Sequence, residues 1–240
     1  MPGLPHDRGP IYLETVMGRF PVEPWNTASN LLFLALIVWW TWRLVRDGIG
    51  PHRFIAGALP VLFIGWAGGT IYHATRSANI WLFLDIGPIA LLVVATAAFF
   101  WRHVRLTWLA VPLVVLGPTA AVMGAIAALG LPRVMGPMIG YPMMALSLLL
   151  PVLWNLARER WADGFLVLGA LAVFVLAVLS RSFDGRLSAE LLPMGTHWLW
   201  HSLGAVAVQL LVTYIWRSDL RREARAADDQ AGSLDRRSLL

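Results

Sequence analysis

His197 and His201 stand four residues apart in Thr196-His-Trp-Leu-Trp-His201. On a helix that spacing sends both imidazoles from one face, a turn apart, which suits two bonds to one metal ion. His73, in Gly68-Gly-Thr-Ile-Tyr-His73, and Asp85, in Trp81-Leu-Phe-Leu-Asp-Ile-Gly-Pro88, are the other ionisable groups set in long apolar runs. Three histidines with an open fourth position form the ligand set of catalytic zinc, and a nearby carboxylate can move the proton of an attacking water. Imidazole also suits copper, nickel and iron, so zinc is a preference and not a deduction. Haem fits less well, because its two axial ligands must lie on opposite faces of the ring. A plainer reading stands beside these: helix-end histidines flanked by Trp198 and Trp200 belong to an interfacial aromatic belt.

The elements that must position these groups belong in a bilayer. Of 240 residues, 58% are apolar and 14% charged, against roughly 25% charged in an ordinary soluble domain. That much apolar surface cannot be hidden inside a soluble globule of this length. Cysteine is absent, which excludes disulfides, cysteine-ligated metals and thiol chemistry. A spanning helix needs about 20 mainly apolar residues, and the sequence predicts seven, over 29–46, 54–73, 81–101, 107–128, 137–157, 164–181 and 197–216. The expected fold is all-α, a seven-transmembrane-helix bundle with an intramembrane metal site. Residues 1–28 form an extracytoplasmic segment, 29–217 the bundle, and 218–240 a frayed, solvated cytoplasmic tail. The first 28 residues lack an apolar stretch, so no cleavable signal peptide is expected. No internal repeat of the transporter kind is seen, and no charge lies deep in the bundle.

The formal charge is +5 and every basic residue is arginine. The arginines sit between apolar runs and in the tail, so they read as headgroup anchors and not as a nucleic-acid surface. Six, including Arg76, Arg133 and Arg181, fall on the N-terminal side of the seven spans; thirteen fall on the other side. Cytoplasmic loops carry the excess of arginine, which places the C-terminus in the cytoplasm and the N-terminus outside. With that topology His73 closes the second span, Asp85 opens the third, and His197 and His201 open the seventh, all at similar depth in the outer part of the bundle. A charge buried in hydrocarbon costs about 2.5–3.5 kcal/mol on insertion scales, so each such residue is a functional candidate. His6, His52 and His103 read as ordinary interfacial or loop residues.

At these residues the chain resembles the alkaline ceramidases, within a wider superfamily of seven-span hydrolases that includes the adiponectin-receptor-like proteins. Four blocks carry the resemblance: Glu23-Pro-Trp-Asn-Thr-Ala-Ser-Asn30, Tyr72-His73 with Asp85-Ile-Gly-Pro88, Arg181-Ser-Phe-Asp184, and Gly195-Thr-His-Trp-Leu-Trp-His201. Their order and span placement match over nearly the whole chain. The resemblance implies zinc on His73, His197 and His201, a role for Asp85 in proton transfer, and hydrolysis of the amide bond of a ceramide-like N-acyl lipid drawn from the bilayer. It also implies calcium held by acidic residues near the first span, here Glu14 and Glu23. The segment Pro10-Ile-Tyr-Leu-Glu14 nevertheless lacks the family's aspartate and cysteine. The plain roles are a solvated loop acid for Glu14 and a helix cap for Glu23.

Two further departures stand out. The serine that the family places four residues before the first zinc histidine is Gly69 here. Thr70, three residues before His73, lies on the same helical face and is the candidate replacement as oxyanion donor. The interval from His73 to Asp85 is one residue longer than usual. A non-enzymatic seven-span receptor or regulator with a structural metal is the alternative reading, favoured by the missing serine.

Overall fold

The computed structural model describes residues 5–130, 135–186 and 191–238, with 135–145 and 233–238 as backbone only. Arg133, counted for orientation, lies outside the described residues, as do the side chains of Arg236 and Arg237. The regular structure of the described residues is helical, with no strand among them. The elements are α1 (Pro24–Ser29), α2 (Leu31–Asp47), a short 3-10 turn (Gly50–His52), α3 (Arg53–Thr75), α4 (Asn79–His103), α5 (Ala110–Ala128), α6 (Met135–Arg158), α7 (Gly164–Phe183) and α8 (His197–Ser238).

Six stretches are long and apolar enough to cross a bilayer: Pro24–Asp47, Gly50–Thr75, Asn79–His103, Ala110–Ala128, Gly164–Phe183 and His197–Gly232. The chain is thus a membrane protein by the length and composition of its helices. The expected span 137–157 falls within α6, whose described side chains begin at Leu146; Leu146–Arg158 is apolar but too short to cross alone.

The chain packs as two units, Met1–Ile86 with Phe165–Leu240, and Gly87–Gly164. In the second, α5 lies along α6, and Ala97, Val111 and Val115 form a core with Trp101, Leu106 and Leu148 against it. In the first, α1, α2, α3 and α8 pack on one another. Pro24 starts α1, where its fixed φ and missing N–H carry no cost. α3 meets the start of α4 through Gly68 and Gly69. A β-carbon on Gly68 would lie 2.5 Å from Leu84 Cβ and 2.7 Å from its carbonyl carbon. Such small residues let helix backbones close up where lipid supplies no hydrophobic drive.

The stretch after Ser218, expected as a solvated tail, is helical: α8 runs to Ser238, with residues 223–231 exposed. Its Ala, Arg, Glu, Gln and Leu residues are strong helix formers, and the preceding span supplies the costly first turn. Asp219 and Arg222 add an i,i+3 ion pair at 3.8 Å. One expectation is corrected: His52 is not an ordinary interfacial or loop residue. It is 1% exposed, its ring stacks on Trp216 at 3.4 Å, and its Nδ1 lies 3.2 Å from Asp219 Oδ2.

Candidate metal centre

The site lies within the first unit. α3 delivers His73 and the first turns of α8 deliver His197 and His201. All three rings are buried. One ring nitrogen from each lies within 4.8 Å of the others, the one such group of metal-binding side chains among the described residues. Ring centroids are 4.8 Å apart for His73–His201 and His197–His201, and 5.5 Å for His73–His197.

The partners of each ring fix which nitrogen is left for a ligand. Glu23 Oε2 lies 2.5 Å from His73 Nδ1, while His73 Nε2 is buried with no hydrogen-bond partner. His201 Nδ1 lies 2.9 Å from Ser29 Oγ and 3.2 Å from the Asn26 carbonyl oxygen. A carbonyl only accepts, and Ser29 Oγ already donates to that same carbonyl, so the His201 proton sits on Nδ1 and the Nε2 lone pair is free. A carboxylate or carbonyl holding the far nitrogen is the usual support of a metal-ligating histidine. His197 Nδ1 is buried without a partner, and Tyr12 stacks on its ring at 3.8 Å. Burial pushes the Tyr12 phenol above its ordinary range, so the stacked ring stays neutral. Three buried imidazoles with one nitrogen each brought within 4.8 Å of the others can hold a divalent cation.

The loop before α8 is built to hold this end. Asp184 Oδ1 accepts the Thr196 and His197 N–H groups at 2.7 and 3.1 Å and so caps α8. Its Oδ2 accepts the Leu13 N–H at 3.2 Å. A β-carbon on Gly195 would strike Asp184 Oδ1, and the residue sits at φ +67°, so only glycine fits the approach.

Asp85 lies at the start of α4 with its Oδ1 against Gly69, where a β-carbon would collide with it. Gly69 stands one helical turn before His73 on the same face of α3. Asn30 Nδ2, buried and without a partner, lies 3.5 Å from the same point. The Thr70 hydroxyl is likewise buried without a partner.

Glu14 and Glu23 have other work than calcium. Glu14 is 5% exposed, and its oxygens accept the Trp25 and Asn26 N–H groups at 2.9 and 2.7 Å. It therefore caps α1, the role the sequence suggested for Glu23. Burial raises its carboxyl above the ordinary range. Glu23, fully buried, uses Oε1 for Thr15 Oγ1 and Arg76 Nη1, and Oε2 for His73 Nδ1 and Asn26 Nδ2. Burial pushes Glu23 up, but the His73, Thr15 and Arg76 bonds outweigh it and hold the carboxyl below its usual range. A carboxylate offers about four lone-pair sites, and Glu23 has four partners. Calcium takes six to eight oxygens. Glu23 has no lone pair left, and Glu14, with two of its four taken, cannot supply such a shell alone, so the calcium expected from the resemblance does not fit these two acids.

Sequence reasoning missed Tyr12, Asp7 and Arg76, and gave Asp184, Ser29 and Asn26 no role although their motifs were visible. No protein-family model matches the chain, and no curated protein matches it. The class defined by fold and site is therefore the extent of the identification: an all-helical membrane protein with a buried three-histidine group able to hold a metal ion.

Proposed function

We propose that the protein is an intramembrane zinc hydrolase that cleaves the amide bond of an N-acyl lipid of the ceramide type. The observation that carries the reading is the convergence of three buried imidazoles, two of them oriented through their far nitrogens, with a carboxylate one turn away. Helices of membrane-spanning length offer the substrate's acyl chain a lateral route from the bilayer. Zinc is the metal that a three-histidine set with an open position suits best.

Bound there, a divalent ion acidifies water and polarises a carbonyl. The chain's residues supply the rest. Asp85 takes a proton from the attacking water and returns it to the leaving amine as the C–N bond breaks and the C–O bond forms. Thr70 donates a hydrogen bond to the oxygen that gains negative charge. Glu23 and the Asn26 carbonyl hold His73 and His201 in place. The products are a fatty acid and the lipid amine, and one water is consumed.

The test is metal analysis of the purified protein, joined to incubation with a panel of N-acyl lipids read by mass spectrometry. Stoichiometric zinc and release of fatty acid from one lipid class support the reading. Stoichiometric metal with no turnover of any lipid favours the receptor alternative, which the missing hydroxyl at Gly69 suits. The arginine distribution supports a cytoplasmic C-terminus; a reporter fused after Leu240 that reads as external overturns that orientation without touching the metal site.

A further inference from the structure

Asp7, Arg76 and Glu23 form a fully buried charge cluster beside the histidines. We propose that Arg76 is a resident cation that fills the carboxylate-lined position behind His73, so that the protein carries one metal ion and has no place for a second. The proposal rests on the metal reading only for the identity of the first ion.

The geometry is closed on every side. Arg76 is 0% exposed and is among the largest fully buried side chains. Its Nε and Nη2 donate to Asp7 Oδ2 and Oδ1 at 2.8 and 2.7 Å, a two-pronged pair. Its Nη1 donates to Glu23 Oε1 at 2.5 Å. The guanidinium carbon lies 4.7 Å from the Tyr72 ring centroid and 6.0 Å from that of Tyr12. Asp7 Oδ1 also accepts the Gly9 N–H at 2.8 Å. The guanidinium is thus wedged between two acids and two aromatic faces.

The backbone is shaped to put it there. Arg76 ends α3 in the left-handed region at φ 48°, with its N–H on the Tyr72 carbonyl at 2.8 Å. A non-glycine residue in that conformation is uncommon and needs a reason. The reason is direction: the turn sends the side chain back past His73 toward Glu23. The His6 N–H, donating to the Arg76 carbonyl at 3.1 Å, pins the N-terminal segment to the same residue.

Charge and orientation are what a divalent ion between two carboxylates would supply. Arg76 neutralises Glu23 and Asp7 and keeps the second Glu23 oxygen turned to His73. It differs in one respect: a covalently held guanidinium neither exchanges with solvent nor yields to a chelator.

The experiment uses the full chain in detergent micelles, with elemental analysis and thermal unfolding as readouts. The wild type should contain no calcium, and its Tm should be the same in roughly 1 mM Ca2+, a concentration that fills even weak calcium sites, and in excess EGTA. Arg76→Ala should lower the Tm, millimolar guanidinium should restore part of the loss, and Arg76→Lys, which keeps charge without the planar fork, should fall between. Stoichiometric calcium in the wild type, or a Tm several degrees higher with Ca2+, overturns the proposal; so does an Arg76→Ala protein as stable as the wild type. The wild-type arm decides even if Arg76→Ala does not accumulate. A wild type free of transition metal yet indifferent to calcium sinks the zinc reading, while the assignment of Arg76 as the cation behind His73 stands.

Discussion

Asp85 Oδ1 occupies the space where a β-carbon on Gly69 would stand. The two residues are complementary: α3 omits a side chain and the start of α4 fills the gap with an acid, one turn from His73. The serine expected at position 69 is therefore not simply lost. A side chain there would have to displace the carboxylate.

Gly69→Ala tests this pairing. The colliding atom is the free end of a side chain, so the fold should survive while the carboxylate swings aside. Turnover should fall by about 10²-fold, in the range of a misplaced general base, with metal content unchanged. Asp85→Asn should abolish turnover and leave the metal bound. Wild-type rates in both variants would remove Asp85 from the chemistry.

Glu23→Gln weakens the support of His73 without emptying its place. Loss of such a partner typically costs 10–100-fold in metal affinity, and competition against a chelator of known affinity reads it. An unchanged affinity would mean that the Glu23 carboxylate does not tune His73 as a ligand.

These residues were unequally legible in the sequence. The helices were, because long apolar runs have no other physical outlet. His197 and His201 were, because i,i+4 spacing is local. His73 was legible only through its depth in the topology. Arg76 was read as one more headgroup arginine: its partner Asp7 lies 69 residues away in a segment with no periodicity. Glu14 and not Glu23 caps α1, since which of two nearby acids does so depends on how the loop folds back. The helix of the tail was not read because polar composition signals solvent exposure and says little about helix.

Thr70→Val bears on the oxyanion. The Thr75 hydroxyl bonds the Ile71 carbonyl of its own helix at 2.8 Å, whereas the Thr70 hydroxyl has no such bond. Removing a donor of this kind should cut turnover by about 10²–10³-fold, and Thr70→Ser should retain most activity. An undiminished rate for Thr70→Val would leave the oxyanion to other groups.

Acid should loosen the N-terminal segment through Asp7. Burial pushes its carboxyl up, but the Arg76 bonds and charge, with the Gly9 N–H, hold it below the ordinary range. A depressed folded value means stabilisation that is complete above the unfolded value, about 3.9, and lost as pH falls through the folded one. Thermal unfolding of wild type and Asp7→Asn should therefore differ most near neutral pH and converge in strong acid. A gap that stays constant with pH would show that Asp7 does not titrate against Arg76.

Residues 5–23 contain no helix, only turns and bends. Yet this stretch lays Tyr12 on a histidine, caps α1 with Glu14, braces Glu23 through Thr15 and fastens to Arg76 through Asp7. Scaffold and chemistry are thus written in separable passages of the chain. Without these leading residues His201 would keep Ser29 and the Asn26 carbonyl, but His73 would lose Glu23 and His197 would lose the stacked Tyr12 ring. Proteolytic trimming of that segment would disturb the histidine centre without cutting a single helix.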